Sequence, residues 1–204
     1  MSTVETTTRL MTAEEFCDWV HRPENTDRSF ELVRGEVIEL PPPMKRHGVV
    51  TGNLARLIGN YLFQRRKGYL TSNDSGVILE HDPDTVRGPD VAVYEDAQTW
   101  AELHPKYGEV PPLLAVEVLS PTDKVNKVNR KIADYLRAGV GLVWFADPEE
   151  QTLTVYRRGH EPRLHEASET VTGEEVLPGL TLKVADCFFM PGEPTAAPQP
   201  PQAT

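Results

Sequence analysis

The run Leu113-Leu114-Ala115-Val116-Glu117-Val118-Leu119 carries a single charged residue, and no other segment restricts the fold as tightly. A stretch this apolar is buried on both faces, so it reads as a central strand of a sheet that must itself be covered. Two amphipathic segments supply the cover. Val50, Leu54, Leu57, Ile58, Tyr61 and Leu62 recur at helical spacing and predict a helix from about His47 to Arg66. Val128, Ile132, Tyr135 and Leu136 form one stripe of a second helix that starts from Asp123 and stops at Gly139.

The remaining chain alternates strands with turns. Thr12 and Glu15 form a capping box that opens a short helix ending near Arg22-Pro23. Phe30 to Val33 and Glu36 to Leu40, joined by Arg34-Gly35, read as a β-hairpin. Further strands are expected around Tyr69 to Glu80, at Asp90 to Tyr94, Leu142 to Phe145 and Thr152 to Tyr156, with short ones continuing to about Leu182. A chain of 204 residues fits a single core. We expect one α/β (α+β) domain over residues 11–190, a flexible N-terminus over 1–10, and a disordered Pro- and Ala-rich tail over 191–204.

Composition narrows the partners. With 21 basic and 31 acidic residues the chain has a formal charge of −10, which opposes broad attraction to a phosphate backbone. Any nucleic-acid contact must be local, and a metal ion could supply part of the missing positive charge. Cys17 and Cys187 are too few and too far apart for a disulfide framework or a zinc site, so both read as buried thiols. No apolar run approaches the roughly 20 residues of a membrane span, and residues 1–10 lack the apolar centre of a secretory signal. The expectation is a cytoplasmic protein with no membrane partner.

Two carboxylates stand where a core would not place them by default, Asp90 opening a Val-Ala-Val strand and Glu117 inside the apolar run. By period-two alternation Glu117 shares a face with Ala115 and Leu119, and Asp90 shares one with Ala92 and Tyr94. Neighbouring strands would bring the two acids together. A buried carboxylate is paired, protonated or bound to a cation. Two or three carboxylates completed by water and phosphate oxygens form the donor set that Mg²⁺ or Mn²⁺ prefers. The alternative is that Asp90 caps the start of its strand and Glu117 pairs with a basic side chain. On the helix that follows, Lys124, Lys127 and Lys131 line one face. Lys131, one turn before Tyr135, can lay its stem on the core and reach toward the acids, where an ammonium would stabilise charge on a phosphoryl group. Its alternative is a solvated surface lysine.

These segments, in this order, resemble the Uma-two family of restriction endonucleases, a branch of the PD-(D/E)XK nuclease superfamily. The likeness is carried by FELVRGEVIEL, the His-led helix HGVVTGNLARLIGNYL, DPDTVRGPDVAVYED, LLAVEVLSPTDK and KIADYLRAGVGLVWFADPEEQTLTVYR, spanning about residues 14–158. The resemblance implies a restriction-endonuclease-like mixed central β-sheet flanked by helices. It also implies that Asp90 and Glu117 are metal-binding acids, that Glu31 is a further acidic ligand or supporting group, and that His47 lies near the site. The superfamily's lysine would stand two residues after Glu117, where this chain has Leu119. Matching the Lys-x-x-x-Tyr segment gives that role to Lys131, with Lys124 and Lys127 as rivals and Tyr135 beside the site. The function implied is metal-dependent hydrolysis of DNA, and symmetric cutting of both strands would call for a homodimer. The alternatives are a nuclease-fold module that binds DNA or regulates without cutting, and a homo-oligomeric structural protein.

Overall fold

Leu114–Val118 is a strand buried at every position, and the rest of the chain is arranged around it. A computed structural model describes residues 10–121 and 123–192. In chain order it contains helix α1 (Ala13–Val20), strands β1 (Ser29–Val33) and β2 (Glu36–Leu40), and helix α2 (Lys45–Arg65). Strands β3 (Tyr69–Ser72), β4 (Val77–Glu80), β5 (Thr85–Arg87), β6 (Val91–Tyr94) and β7 (Leu114–Val118) come next, followed by helix α3 (Val125–Ala138). The chain continues through β8 (Leu142–Asp147), β9 (Thr152–Tyr156), β10 (Arg163–His165), β11 (Thr170–Thr172) and β12 (Thr181–Lys183) to the short helix α4 (Val184–Cys187).

The main sheet has six strands in the order β10-β9-β8-β7-β6-β3, antiparallel except where β7 and β8 run parallel. That one parallel pair is joined through α3, the crossover connection that parallel strands require. The sheet is therefore mixed and flanked by helices. Alternation decides which helix each side chain meets. Leu114, Val116 and Val118 pack in a cluster with Val50, Leu54, Ile58 and Leu62 of α2. Ala115 points the other way and packs with Ile132 and Tyr135 of α3, beside Val143 and Phe145 of β8. Glu117, two residues after Ala115, is on the α3 side.

A second sheet, in the order β2-β1-β5-β4, stands beside the first. Its hairpin turns through Arg34 (φ 52°) and Gly35 (φ 79°), the pair of positive φ values that a two-residue turn needs to match the strand twist. Leu32 of β1 and Val86 of β5 pack under Ala13 and Phe16 of α1, whose N-terminus is closed by the Thr12–Glu15 capping box. Glu31 and Arg87, one residue along each strand, project from the opposite face.

Three expectations change. The segment Tyr69 to Glu80 is two strands in different sheets, because Asn73 (φ 62°) and Asp74 (φ 54°) reverse the chain between them. The segment His81 to Gly88, where no element is expected from spacing, contains β5, buried at all three positions. The second long helix begins at Val125, with Lys124 at its N-cap. Cys17 and Cys187 are buried free thiols. Of the terminal segments, only Leu10, Pro191 and Gly192 fall within the described residues. Among the described residues no helix is long and apolar enough to cross a membrane.

Candidate active site

The β6–β7 pairing aligns Val91 with Val116, and one further step along that register brings Asp90 level with Glu117. Asp90 is fixed from both sides. Its Oδ2 accepts the Val118 backbone N–H at 2.7 Å, and its Oδ1 lies 3.1 Å from His47 Nε2 in the first turn of α2. Glu117 faces α3. Its Oε2 is 2.7 Å from Lys131 Nζ, and its Oε1 accepts the Tyr135 hydroxyl at 2.5 Å. Lys131 and Tyr135, four residues apart, occupy neighbouring places on one helix face, so both reach the same carboxylate.

Lys131 Nζ also lies 3.1 Å from Glu31 Oε1, so one ammonium bridges two acids carried by different sheets. Glu31 in turn receives Arg87 Nη1 at 2.6 Å and the Gly88 N–H at 3.3 Å. Arg87 continues to Asp134 of α3, donating Nη2 at 2.5 Å and Nε at 3.1 Å. This chain of ion pairs ties β1 and β5 to α3 and thereby fixes where Lys131 sits. Glu31, Arg87, Asp90 and Glu117 are each at least nine-tenths buried, so the pairs are shielded from the screening that weakens surface salt bridges.

Burial dominates the electrostatics. It pushes the Glu117 carboxyl up to about 7 against the pull of Lys131, with the charges of Asp90 and Glu31 adding to the rise. For Glu31 the order reverses: burial favours its neutral form, but Lys131 and Arg87 overcome it and hold the group below the usual range. Lys131 is kept cationic, because Glu117 and Glu31 outweigh the burial that would discharge it. The hydrogen bond to Asp90 raises the His47 imidazole above its ordinary value. A further carboxylate, Asp74 on the turn after β3, feels the same field. The protein around it and the charge of Asp90 push it up, and Lys131 pulls it down. Gly88 lets this turn approach, since a Cβ there would lie 2.5 Å from the Asp74 carbonyl oxygen.

Glu31, Asp90 and Glu117 face Lys131, Arg87 and His47, Asp134 is shared between Arg87 and Arg137, and Asp74 stands nearby. Among the described residues no three His, Cys, Asp or Glu side chains converge on one metal position. Mg²⁺ or Mn²⁺ binds through as few as one or two carboxylates and keeps water and phosphate oxygens as its other ligands, so Asp90 and Glu117 would be enough in number, although each of their oxygens also has a protein partner. They do not form a closed protein cage. A cavity of about 300 Å³ opens beside His47, lined by Lys45, Arg46 and Leu119 among others.

The residues singled out from sequence therefore separate. Glu117, Lys131, Tyr135 and Glu31 form one connected network, and Asp90 with His47 forms a pair level with Glu117 in the strand register. Glu31 has its oxygens engaged by Arg87, Lys131 and the Gly88 N–H, which makes it a charge partner of the lysine more than a free ligand. Lys124 and Lys127 are exposed at the start of α3, and neither makes an ion pair among the described residues. Arg87, Asp134 and Asp74 were not anticipated. The alternation Thr85-Val86-Arg87 was the available signal for Arg87, too short to separate from a loop.

A family model, Uma2, described as "Putative restriction endonuclease", matches residues 13–185. The fold is similar to that of a solved Anabaena variabilis ATCC 29413 protein described as "a putative nuclease belonging to DUF820". The TM-score is 0.73 at 24% identity, over 87% of this chain and 97% of that one. No curated protein matches.

Proposed function

The chain belongs to the Uma2 family, and on that premise we propose that it is a divalent-metal-dependent nuclease that hydrolyses phosphodiester bonds in DNA, with Asp90 and Glu117 as the metal-binding acids. The observation that carries this reading is the shared placement of Asp90, Glu117 and Lys131, two buried carboxylates level with each other and one half-buried ammonium held against Glu117. Mg²⁺ or Mn²⁺, when bound, supplies charge to polarise a phosphoryl oxygen and to acidify an attacking water. The side chains do the rest. Lys131, fixed by Glu31 and Glu117, presents a cation that costs no reorganisation as charge builds on the phosphoryl oxygens. Tyr135 orients Glu117 from the protein side, leaving the other edge of the cluster to face substrate. His47 holds the orientation of Asp90 and, partly exposed, lies where a proton can pass to solvent.

The experiment is cleavage of supercoiled plasmid and of single-stranded DNA with Mg²⁺ or Mn²⁺, comparing wild type with folded Asp90→Ala, Glu117→Ala and Lys131→Ala. The expected result is cutting that needs the metal and is lost in both acid variants, with a fall of about 10²-fold or more in Lys131→Ala. Wild type that neither cuts nor binds metal by calorimetry would defeat this reading. One observation favours a second: each oxygen of Asp90 and Glu117 already has a protein partner, as in a site that is self-sufficient without an ion. A nuclease-fold module that binds DNA without cutting would behave in that way, retaining DNA affinity in the Asp90→Ala variant and showing no metal dependence.

A further inference from the structure

A groove of about 960 Å³ runs along the outer edge of β3, closed on its far side by the segment after β6. Arg66, Lys67, Tyr69, Trp100, His104 and Lys106 are among the residues that line it. Trp100 is 88% exposed, an unusual place for an indole in a soluble domain and one that folding does not reward. Val110, at 49% exposure, stands at the same rim. The Tyr69 ring is stacked on Tyr94 with centroids 5.3 Å apart, which holds it rigid at the groove floor.

The charge of this groove runs against that of the chain. Its lining has three cations, Arg66, Lys67 and Lys106, and two acids, Glu95 and Asp96, in a protein with a net charge of −10. Both acids are already engaged. Glu95 pairs with Arg65 and Lys67, and Asp96 accepts the Tyr69 hydroxyl at 2.8 Å; Lys106 in turn lies 3.4 Å from the exposed Asp18, which leaves Arg66 as the lining cation with no acidic partner among the described residues. Ser75 and Gly76 also line the groove. They belong to the turn after β3, whose last residue Ser72 pairs with Val91 next to Asp90, so the groove and the acid cluster share one turn.

We propose that this groove binds a single-stranded stretch of nucleic acid, an unpaired base stacking on Trp100 and the backbone phosphates following Arg66, Lys67 and Lys106 past the turn toward Asp90 and Glu117. The physical pairing of exposed aromatic faces with a cationic track is what unpaired strands require. A duplex keeps its bases stacked inside and offers Trp100 no face. Protein surface would use the aromatic ring as well, but it would not select for cations in so acidic a chain. The proposal rests on the nuclease reading of the acid cluster for the reason a strand passes that turn, and it specifies the form of the substrate there.

The test is fluorescence anisotropy of a labelled oligothymidylate of about 12 nucleotides, titrated with the full chain in EDTA so that binding is read without cleavage. Trp100→Ala is expected to weaken binding at least fivefold and Trp100→Phe to restore most of it. Arg66→Ala combined with Lys67→Ala should flatten the salt dependence, and the matching duplex should bind less tightly than the single strand. Equal affinity of wild type and Trp100→Ala would overturn the proposal. So would sedimentation showing a Trp100-dependent dimer together with no oligonucleotide binding, which would assign the groove to a second copy of the chain. Failure of the nuclease reading looks different: no metal-dependent cleavage, with Trp100-dependent oligonucleotide binding intact.

Discussion

Glu117 is under two opposed demands, since its surroundings favour the neutral acid while a cation bound beside Asp90 would require the carboxylate. Burial has pushed it up to about 7 from an ordinary 4.5. The folded chain thus holds this proton more tightly than the unfolded chain does. In the metal-free protein, Glu117 therefore contributes stability at low pH that is lost as pH rises from about 4.5 through about 7. A bound divalent ion reverses the preference by displacing the proton. Affinity for Mg²⁺ or Mn²⁺, measured by calorimetry, should rise by up to about tenfold per pH unit below pH 7 and level off above it. A flat affinity between about pH 6 and 8 would remove Glu117 from the ligand set. Lys131→Met should leave Glu117 and Glu31 without their shared cation and cost about 3–5 kcal/mol in denaturant unfolding near neutral pH. The loss should shrink at low pH, where Glu117 takes up a proton instead. The two acids were legible because a charge inside an apolar strand needs an explanation. The lysine was legible only as one of three, since Lys124, Lys127 and Lys131 share a face by spacing. What separates them is where α3 begins, at Val125, and the way Tyr135 packs.

Strand β5 shows how much one short element can hold together. Only three residues long, it pairs with β1 through Leu32–Val86 and with β4, and its Arg87 binds Glu31 on one side and Asp134 of α3 on the other. Removing the guanidinium leaves Glu31 with Lys131 and Asp134 with the exposed Arg137 as their remaining cations. Arg87→Met should still destabilise the fold by about 3–5 kcal/mol, because two shielded carboxylates each lose a charged partner. Replacing Asp134 by Leu as well should recover part of that cost, because one of the two underpaired charges goes with it. A thermodynamic cycle in denaturant measures the coupling, and strictly additive losses would show that Arg87 acts through packing alone. None of this was visible along the chain. A three-residue strand has no periodicity to read, and its partners are far away in sequence, Leu32 among them. The same holds for the break between β3 and β4, where Asn73 and Asp74 carry positive φ that neither residue demands. Helices α2 and α3, by contrast, were legible to within about two residues because their apolar stripes repeat over several turns.

At the scale of the molecule, the apolar run at β7 predicted a covered sheet, and the sheet has α2 on one face and α3 on the other. The sequence carried no sign that the N-terminal hairpin would join β5 and β4 in a separate sheet, since that choice is made by long-range pairing. Charge was legible in total and not in distribution. A net charge of −10 opposes a broad cationic surface, whereas the groove beside β3 gathers Arg66, Lys67 and Lys106 against Glu95 and Asp96 in one place. A strand bound there displaces few counterions. Each neutralised phosphate of a single strand contributes about −0.7 to the slope of log affinity against log salt, so three cations give a slope near −2. Raising salt from about 50 to 200 mM should then weaken oligonucleotide binding only roughly fifteenfold, against 10³-fold or more for a protein making six to ten phosphate contacts. Anisotropy titrations across that range measure the slope. A value steeper than about −5 would mean that phosphates are held over a wider surface than the groove provides. A slope near −2, measured in EDTA, leaves most of the affinity to base stacking, which is how an acidic protein can hold an anionic polymer.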